Sequence, residues 1–351
     1  MSVTSYARAN PGRIGVLVGL TVLAGVVVVW QDSGLARLLT LGYLERSLRA
    51  ATPIALVAIG GLIAEKSGVF NIGVEGFMIF GAVNGLAAAY LVSGNGEVTQ
   101  LHLWIGLVVA VVISAVLTTL FAILMIRYEA DQIVAGLAVW FIGLGFGPFT
   151  AILIWDSRNS GTVGRIGNID LPLLSEIPVL GPVFFDASPF ILLTIIVAVA
   201  AWVFLYRTRY GYWLQAAGEN PEALDTAGID VNRVRYAAVI FSGTMAGLAG
   251  AVLTLGVTGN FIGSGMTVVD GRGWIGIVAY LFGNYNPIGA FLAALLFGAM
   301  DMLQIQFQTI GVPLPSSLVD LFPYVVVIVV LTFYGSTRMP SRVGEPYESE
   351  K

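Results

Sequence analysis

Gly60-Gly61-Leu62-Ile63-Ala64-Glu65-Lys66-Ser67-Gly68-Val69-Phe70-Asn71-Ile72-Gly73-Val74-Glu75-Gly76 is the stretch that decides the fold. The chain is apolar on either side of it, yet here glycines, two acids, a lysine and an asparagine gather. Glycine lets one backbone approach another or leave helical geometry. Non-helical backbone at membrane depth survives only where protein or water satisfies its polar groups. Ionisable side chains are costly there, so Glu75 and Lys66 are expected to face protein or a water-filled cavity. Interrupted helices of this kind mark solute pathways, which makes Asn71 and Glu75 pathway candidates. A structural reading stands beside that one, in which Glu65, Lys66 and Glu75 form ion pairs or cap helix ends at the rim of the membrane.

Composition says what solvates the rest. Hydrophobic residues make up 57% of the 351 and charged residues 11%, with a mean hydropathy of +0.87. A soluble domain carries about a quarter charged residues, so lipid rather than water must cover this chain. The expected class is an all-α, polytopic transmembrane bundle with broken and short helices, in the inner (cytoplasmic) membrane. A net charge of −4 provides no basic stripe for phosphates and excludes nucleic acid as a partner. The absence of cysteine removes disulfides, thiolate metal sites and cysteine nucleophiles. His102 is the single histidine; with no second histidine or carboxylate cluster at ligand spacing it reads as interfacial, and no metal site is expected. Neither a Ser–His–Asp arrangement, a P-loop nor a dinucleotide fingerprint is present. The chain is therefore not expected to be an enzyme or to bind a cofactor itself.

Counting apolar segments gives spans at roughly 14–30, 50–64, 70–92, 102–126, 132–155, 188–206, 236–257, 272–283, 287–305 and 320–335. Ile14–Trp30 follows Arg8 and Arg13 as a secretory signal would. Gln31-Asp32-Ser33-Gly34 is a poor cleavage site, however, so the segment reads as a retained helix. With the N-terminus inside, alternation leaves eleven of the 17 Lys and Arg on the cytoplasmic side, which favours N-in and C-in. The expected organisation is one membrane domain over 1–351. Its spanning region is 14–335, with a cytoplasmic segment at 207–235 and a cytoplasmic tail at 336–351. Leu35–Ala50 alternates leucine with arginine and reads as a helix lying in the interface. The polar loop 156–187 is the longest on the outer side, a landing surface for a partner or a plain ordered loop.

The inner segment 207–235 holds a complete short-helix grammar. Asn220 suits an N-cap and Pro221 the first helical position. Glu222 complements the helix dipole, and Gly228 is placed as the stop. The resulting two-turn helix at about 221–227 is too short to be stable alone and needs a partner surface. A second break, Phe282-Gly283-Asn284-Tyr285-Asn286-Pro287, adds Asn284 and Asn286 as pathway candidates, although a capped tight turn explains them equally well. Asp270-Gly271-Arg272-Gly273-Trp274 opens the eighth span from outside. Asp270 and Arg272 are within reach of each other, and Trp274 suits the interface belt, so the motif reads as an anchor.

Together these residues resemble a family. Glu65–Gly76, Gly218-Glu219-Asn220-Pro221-Glu222-Ala223 with Ala227-Gly228-Ile229, Asp270–Ile275, Phe282–Pro287 and Pro323-Tyr324 are similar to stretches of ABC-importer permeases. That superfamily handles branched-chain amino acids, ribose-type sugars and nucleosides. The run Asn71-Ile72-Gly73-Val74-Glu75-Gly76 is nearest to the nucleoside and simple-sugar branch. The likeness runs from about 46 to 335, and the first 45 residues fit no pattern. It implies that Gly218, Glu219, Asn220, Pro221, Glu222, Ala223, Ala227 and Gly228 form the coupling helix to a cytoplasmic ABC ATPase, which holds ATP and Mg. It also implies a second permease, often a longer paralogue, and an extracytoplasmic solute-binding lipoprotein. The rival from another class is an ion-gradient-driven carrier using Glu75, which needs neither ATPase nor docking helix.

Overall fold

In the computed structural model the described residues are 40–94, 96–170, 172, 175–177, 181–310, 339–345 and 347. The expected spans 14–30 and 320–335, and Pro323-Tyr324, lie outside them. Ten α-helices are described: α1 Leu41–Lys66, α2 Val74–Val92, α3 Gln100–Ile126, α4 Gln132–Trp155 and α5 Pro189–Arg207, then α6 Arg209–Glu219, α7 Pro221–Thr226, α8 Val231–Val252, α9 Arg272–Phe282 and α10 Pro287–Ile310. A π-helical turn, Leu253–Thr258, extends α8. Among the described residues seven helices are long and apolar enough to cross a membrane, and α9 is shorter.

The caps explain where helices begin. Asp131 accepts from the Ile133 and Val134 amides at 2.9 Å and opens α4. Asp230 accepts from Arg233 N and opens α8 at Val231, inside the segment expected to be cytoplasmic. His102 Nδ1 accepts from Thr99 N at 3.2 Å in a capping box that starts α3, so the lone histidine serves the backbone.

The interfacial helix expected at Leu35–Ala50 is corrected. From Leu41 onward these residues are the first turns of α1, which continues unbroken through Pro53 to Lys66. Ser47 and Leu48 are buried, and a Cβ on Gly298 of α10 would lie 2.6 Å from the Ser47 carbonyl. A face packed that closely holds the segment upright, while Arg49 pairs with Glu45 and donates to Asn168.

Helices α1, α2 and α8 form the buried centre. Their spacing is set by glycine: a Cβ on Gly81 would lie 1.9 Å from the Gly247 carbonyl oxygen, and one on Gly250 the same distance from that of Met78. With no hydrophobic force between helices in lipid, such backbone contact maximises dispersion. Helices α3, α4, α5 and α10 surround this centre with much of their apolar surface outward. Two small antiparallel pairings, β1 Asn159–Thr162 with β4 Asn260–Ile262 and β2 Ile169–Asp170 with β3 Asp186–Ala187, tie loops together at one end of the bundle. Lys66, Tyr285, the segment from Arg207 to Asp230 and residues 339–347 meet at the opposite end.

Candidate functional site: the coupling seat and the broken helices

Helix α7 is built as its sequence predicts. Asn220 Oδ1 accepts from Ala223 N at 3.1 Å, Pro221 holds the first position and Glu222 the first turn. The Ala227 and Gly228 amides close the far end on Ala223 and Asp225, with Gly228 at φ 83°. Pro221 and Leu224 are buried, whereas Glu222, Ala223, Thr226, Ala227 and Gly228 are exposed. Leu224 sits among Ala217, Val231, Trp213 and Ile229, so the helix is seated on an apolar pad.

Helix α6, which the sequence reading passed over, supplies Trp213 and Ala217 of that pad. Thr208 caps it by accepting from Gly211 N, a signal visible in the sequence as a threonine ahead of an aromatic-rich run. Its far end is jammed against the first break: a Cβ on Gly218 would lie 2.4 Å from the Lys66 carbonyl oxygen and 2.9 Å from Gly68 N. Glu219 is exposed at the junction with α7.

Residues 339–347 do not hang free. The Arg342 amide donates to Gly218 O and the Gly344 amide to Gly68 O, both at 3.0 Å. Ser341 Oγ donates to Glu219 O, Tyr347 OH to Asp225 Oδ2, and the buried Arg235 to Glu345 O. Arg342 also pairs with Glu222 at 3.4 Å. The segment is a strap that binds α6, α7, α8 and the Gly68 turn into one body. Nothing in the tail's local sequence announces this, because its hydrogen bonds are mostly to backbone.

From Ser67 to Gly73 the chain turns back without helix before α2 begins. Helix α9 runs alongside the second half of α1, since Gly276 meets Val57 and Gly61 meets Tyr280. Its ends are held by the two acids that bracket the break. Glu75 Oε1 and Oε2 accept from the Gly271 and Gly273 amides at 2.8 and 2.7 Å, capping α9 at its start. Glu65 accepts from Tyr280 and Tyr285 hydroxyls at the other end. The stretch from 66 to 75 thus climbs the length of α9, which is about 16 Å for 11 residues. That is half of a hydrocarbon core about 30 Å thick.

The pathway candidates occupy distinct places. Asn71 is buried and donates to Ser242 at 3.0 Å. Glu75 is the cap just described. Asn284 has φ 51° in the turn after α9, and Asn286 Oδ1 caps α10 by accepting from Ile288 N. The structure does not bring the four together. The expected pairing of Asp270 with Arg272 is corrected: Arg272 reaches across to Asp301 of α10 at 3.7 Å. The reason is local, because Asp270 at φ 48° and Gly271 at φ 78° turn the chain into α9. Trp274 stands edge-on to Trp140.

Arg272 and Asp301 border a cavity of about 790 Å³, together with Asp270, Trp274, Phe297 and the π-helical end of α8. None of the four pathway candidates is among its described lining residues. Asp301 was missed in the sequence as a single acid inside an apolar run.

Comparison with known proteins places this architecture. A family model described as the permease component of branched-chain amino acid transport systems matches residues 43–331. The chain belongs to this family of ABC-importer permeases. It is 35% identical over 306 residues to the nucleoside ABC transporter permease protein NupC of Lactococcus lactis, covering 86% of this chain and 95% of that one. It is 34% identical over 302 residues to the guanosine ABC transporter permease protein NupQ of Bacillus subtilis, covering 85% and 93%. It is 32% identical over 340 residues to the putative glucose ABC transporter permease protein TsgC13 of Haloferax volcanii, covering 88% and 98%. No solved structure matches the chain. The permease is a multi-pass protein of the cell membrane and a transport subunit, not an enzyme.

Proposed function

We propose that this permease is the membrane-spanning half of an ATP-driven nucleoside importer. A cytoplasmic ABC ATPase, which carries ATP and Mg, docks on α7. A second, related permease completes the pathway, and a solute-binding lipoprotein delivers nucleoside at the opposite end of the bundle. Ten spans with both termini inside fit this arrangement, because residues 339–347 pack at the same end as α7. Nucleosides are preferred to sugars because the two relatives at 35% and 34% identity are named for nucleoside and guanosine, and the one at 32% for glucose.

One observation carries the reading. Helix α7 exposes one face, is capped at both ends, and follows directly on α6, which is wedged through Gly218 onto the broken-helix turn. A displacement applied to that face passes into the bundle without any chemistry in this chain. An ion-driven carrier would have no use for such a seat.

The test uses Ala223, which is exposed, so that Ala223→Arg leaves the fold intact. In cells carrying the complete transporter, ATP-dependent guanosine uptake is expected to fall at least about tenfold, the loss of some 1.4 kcal/mol of docking. Membrane levels of the permease should not change. Normal uptake by this variant, or uptake that survives ATP depletion and collapses with an uncoupler, would refute the reading. Gly218→Arg is the harsher variant, since a side chain there must displace the Lys66–Gly68 turn.

A further inference from the structure

The cavity beside α9 is a place in the described bundle where irregular backbone and charge meet. Three features that have no reason to coincide by chance border it. One wall is the π-helical turn Leu253–Thr258, which contributes Leu253, Val257 and Thr258; single π turns inside α-helices recur at functional sites. A second wall is the start of α9, a helix that begins within the bundle at Glu75, with the non-glycine Asp270 held at φ 48°. The third feature is the ion pair from Arg272 to Asp301. Ionisable groups at membrane depth mark solute or ion routes, and interrupted helices place their ends at such sites.

The pairing is also loose. At 3.7 Å it is longer than the 2.7–2.9 Å of a strong charge-assisted bond. The two side chains keep 27% and 23% of their surface accessible. By contrast, Glu65 and Glu75 are satisfied at both carboxylate oxygens. A pair that only held helices together would be expected to close.

We propose that this cavity is the station where solute rests during passage. Asp270, Arg272 and Asp301 bind its hydroxyl and carbonyl groups, and Trp274 and Phe297 cover its flat apolar part. The ligand class that fits is a neutral, polyhydroxylated molecule with a planar ring. A carboxylate accepts from adjacent hydroxyls, a guanidinium donates to ring acceptors, and an aromatic wall covers the ring. A volume of about 790 Å³ falls within the range typical of small-molecule sites, about 300–1,000 Å³. The proposal rests on the nucleoside-importer reading and adds the residues that meet the solute.

The experiment measures ATP-dependent uptake of radiolabelled guanosine, uridine and glucose by the complete transporter in whole cells, with ATPase activity and membrane abundance recorded alongside. Asp301→Asn and Arg272→Gln are each expected to lower nucleoside uptake about tenfold or more, the weight of one hydrogen bond to a charged group, at unchanged abundance. The exchanged pair Arg272→Asp with Asp301→Arg discriminates roles: recovery of uptake would show a structural ion pair and overturn the proposal, and continued loss at normal abundance supports it. Should the charge variants fail to reach the membrane, Val278→Trp fills the cavity without altering charge. It is expected to block nucleosides more than glucose, and equal, wild-type uptake of both would overturn the proposal. A wild-type transporter that moves glucose and no nucleoside would instead refute the solute class in the proposed function. Wild-type nucleoside uptake retained by every cavity variant would sink this inference alone.

Discussion

Two sets of charges, one buried and one half-buried, sit close together in this bundle and are treated in opposite ways. Glu65 and Glu75 are saturated: two tyrosine hydroxyls hold one and backbone amides hold the other, all at 2.5–2.8 Å. Arg272, at the start of α9 between the amides that Glu75 caps, and Asp301 of α10 stand at the edge of a cavity. Removing an ion from water costs several kcal/mol unless its hydrogen bonds are replaced. The first set has made that replacement internally and fixes α9 at both ends. The second set has left it partly undone. The contrast separates charges that hold shape from charges that remain open to a visitor.

The comparison can be broken most severely at Glu75. Glu75→Ala strips two amides at the start of α9 of their acceptor inside the protein, a cost of about 3 kcal/mol or more. Purified variant is expected to lose thermal stability in detergent or fail to accumulate in the membrane. A variant as stable as wild type would move Glu75 into the open class with Arg272. A smaller effect is expected at Tyr285→Phe, which deletes one of the two hydroxyls on Glu65 and leaves Tyr280 in place. Its cost should be about 1–2 kcal/mol, read as a modest drop in melting temperature with uptake preserved. The smallest change in stability is expected at Arg342→Ala, because its ion pairs with Glu222 and Glu345 are exposed and solvent screens such pairs. Unaltered melting in that variant would confirm that the strap is held by its backbone hydrogen bonds.

Much of this architecture is legible residue by residue. Asn220 and Pro221 mark a helix start that the structure repeats, because a cap satisfies local amides and so leaves a local trace. The break from Gly60 to Gly76 is equally plain, since charges and glycines in an apolar run admit few explanations. What the sequence concealed depends on partners far along the chain. Asp301 finds Arg272 only once α9 and α10 fold back on each other. Leucine–arginine alternation in Leu35–Ala50 points to an interfacial helix, but from Leu41 onward contact with Gly298 of α10 makes it part of α1. The strap is hidden for a related reason: its bonds run to main-chain atoms, which carry no residue signature.

That strap also sets an order of events during synthesis. Residues 339–347 leave the ribosome after every described membrane helix has been made, yet they supply the amides that complete the backbone of Gly68 and Gly218. A polypeptide interrupted before them would already have threaded those helices through the bilayer and would still present an unfinished platform. On the proposed reading, an ATPase meets a complete seat only on molecules translated through Tyr347.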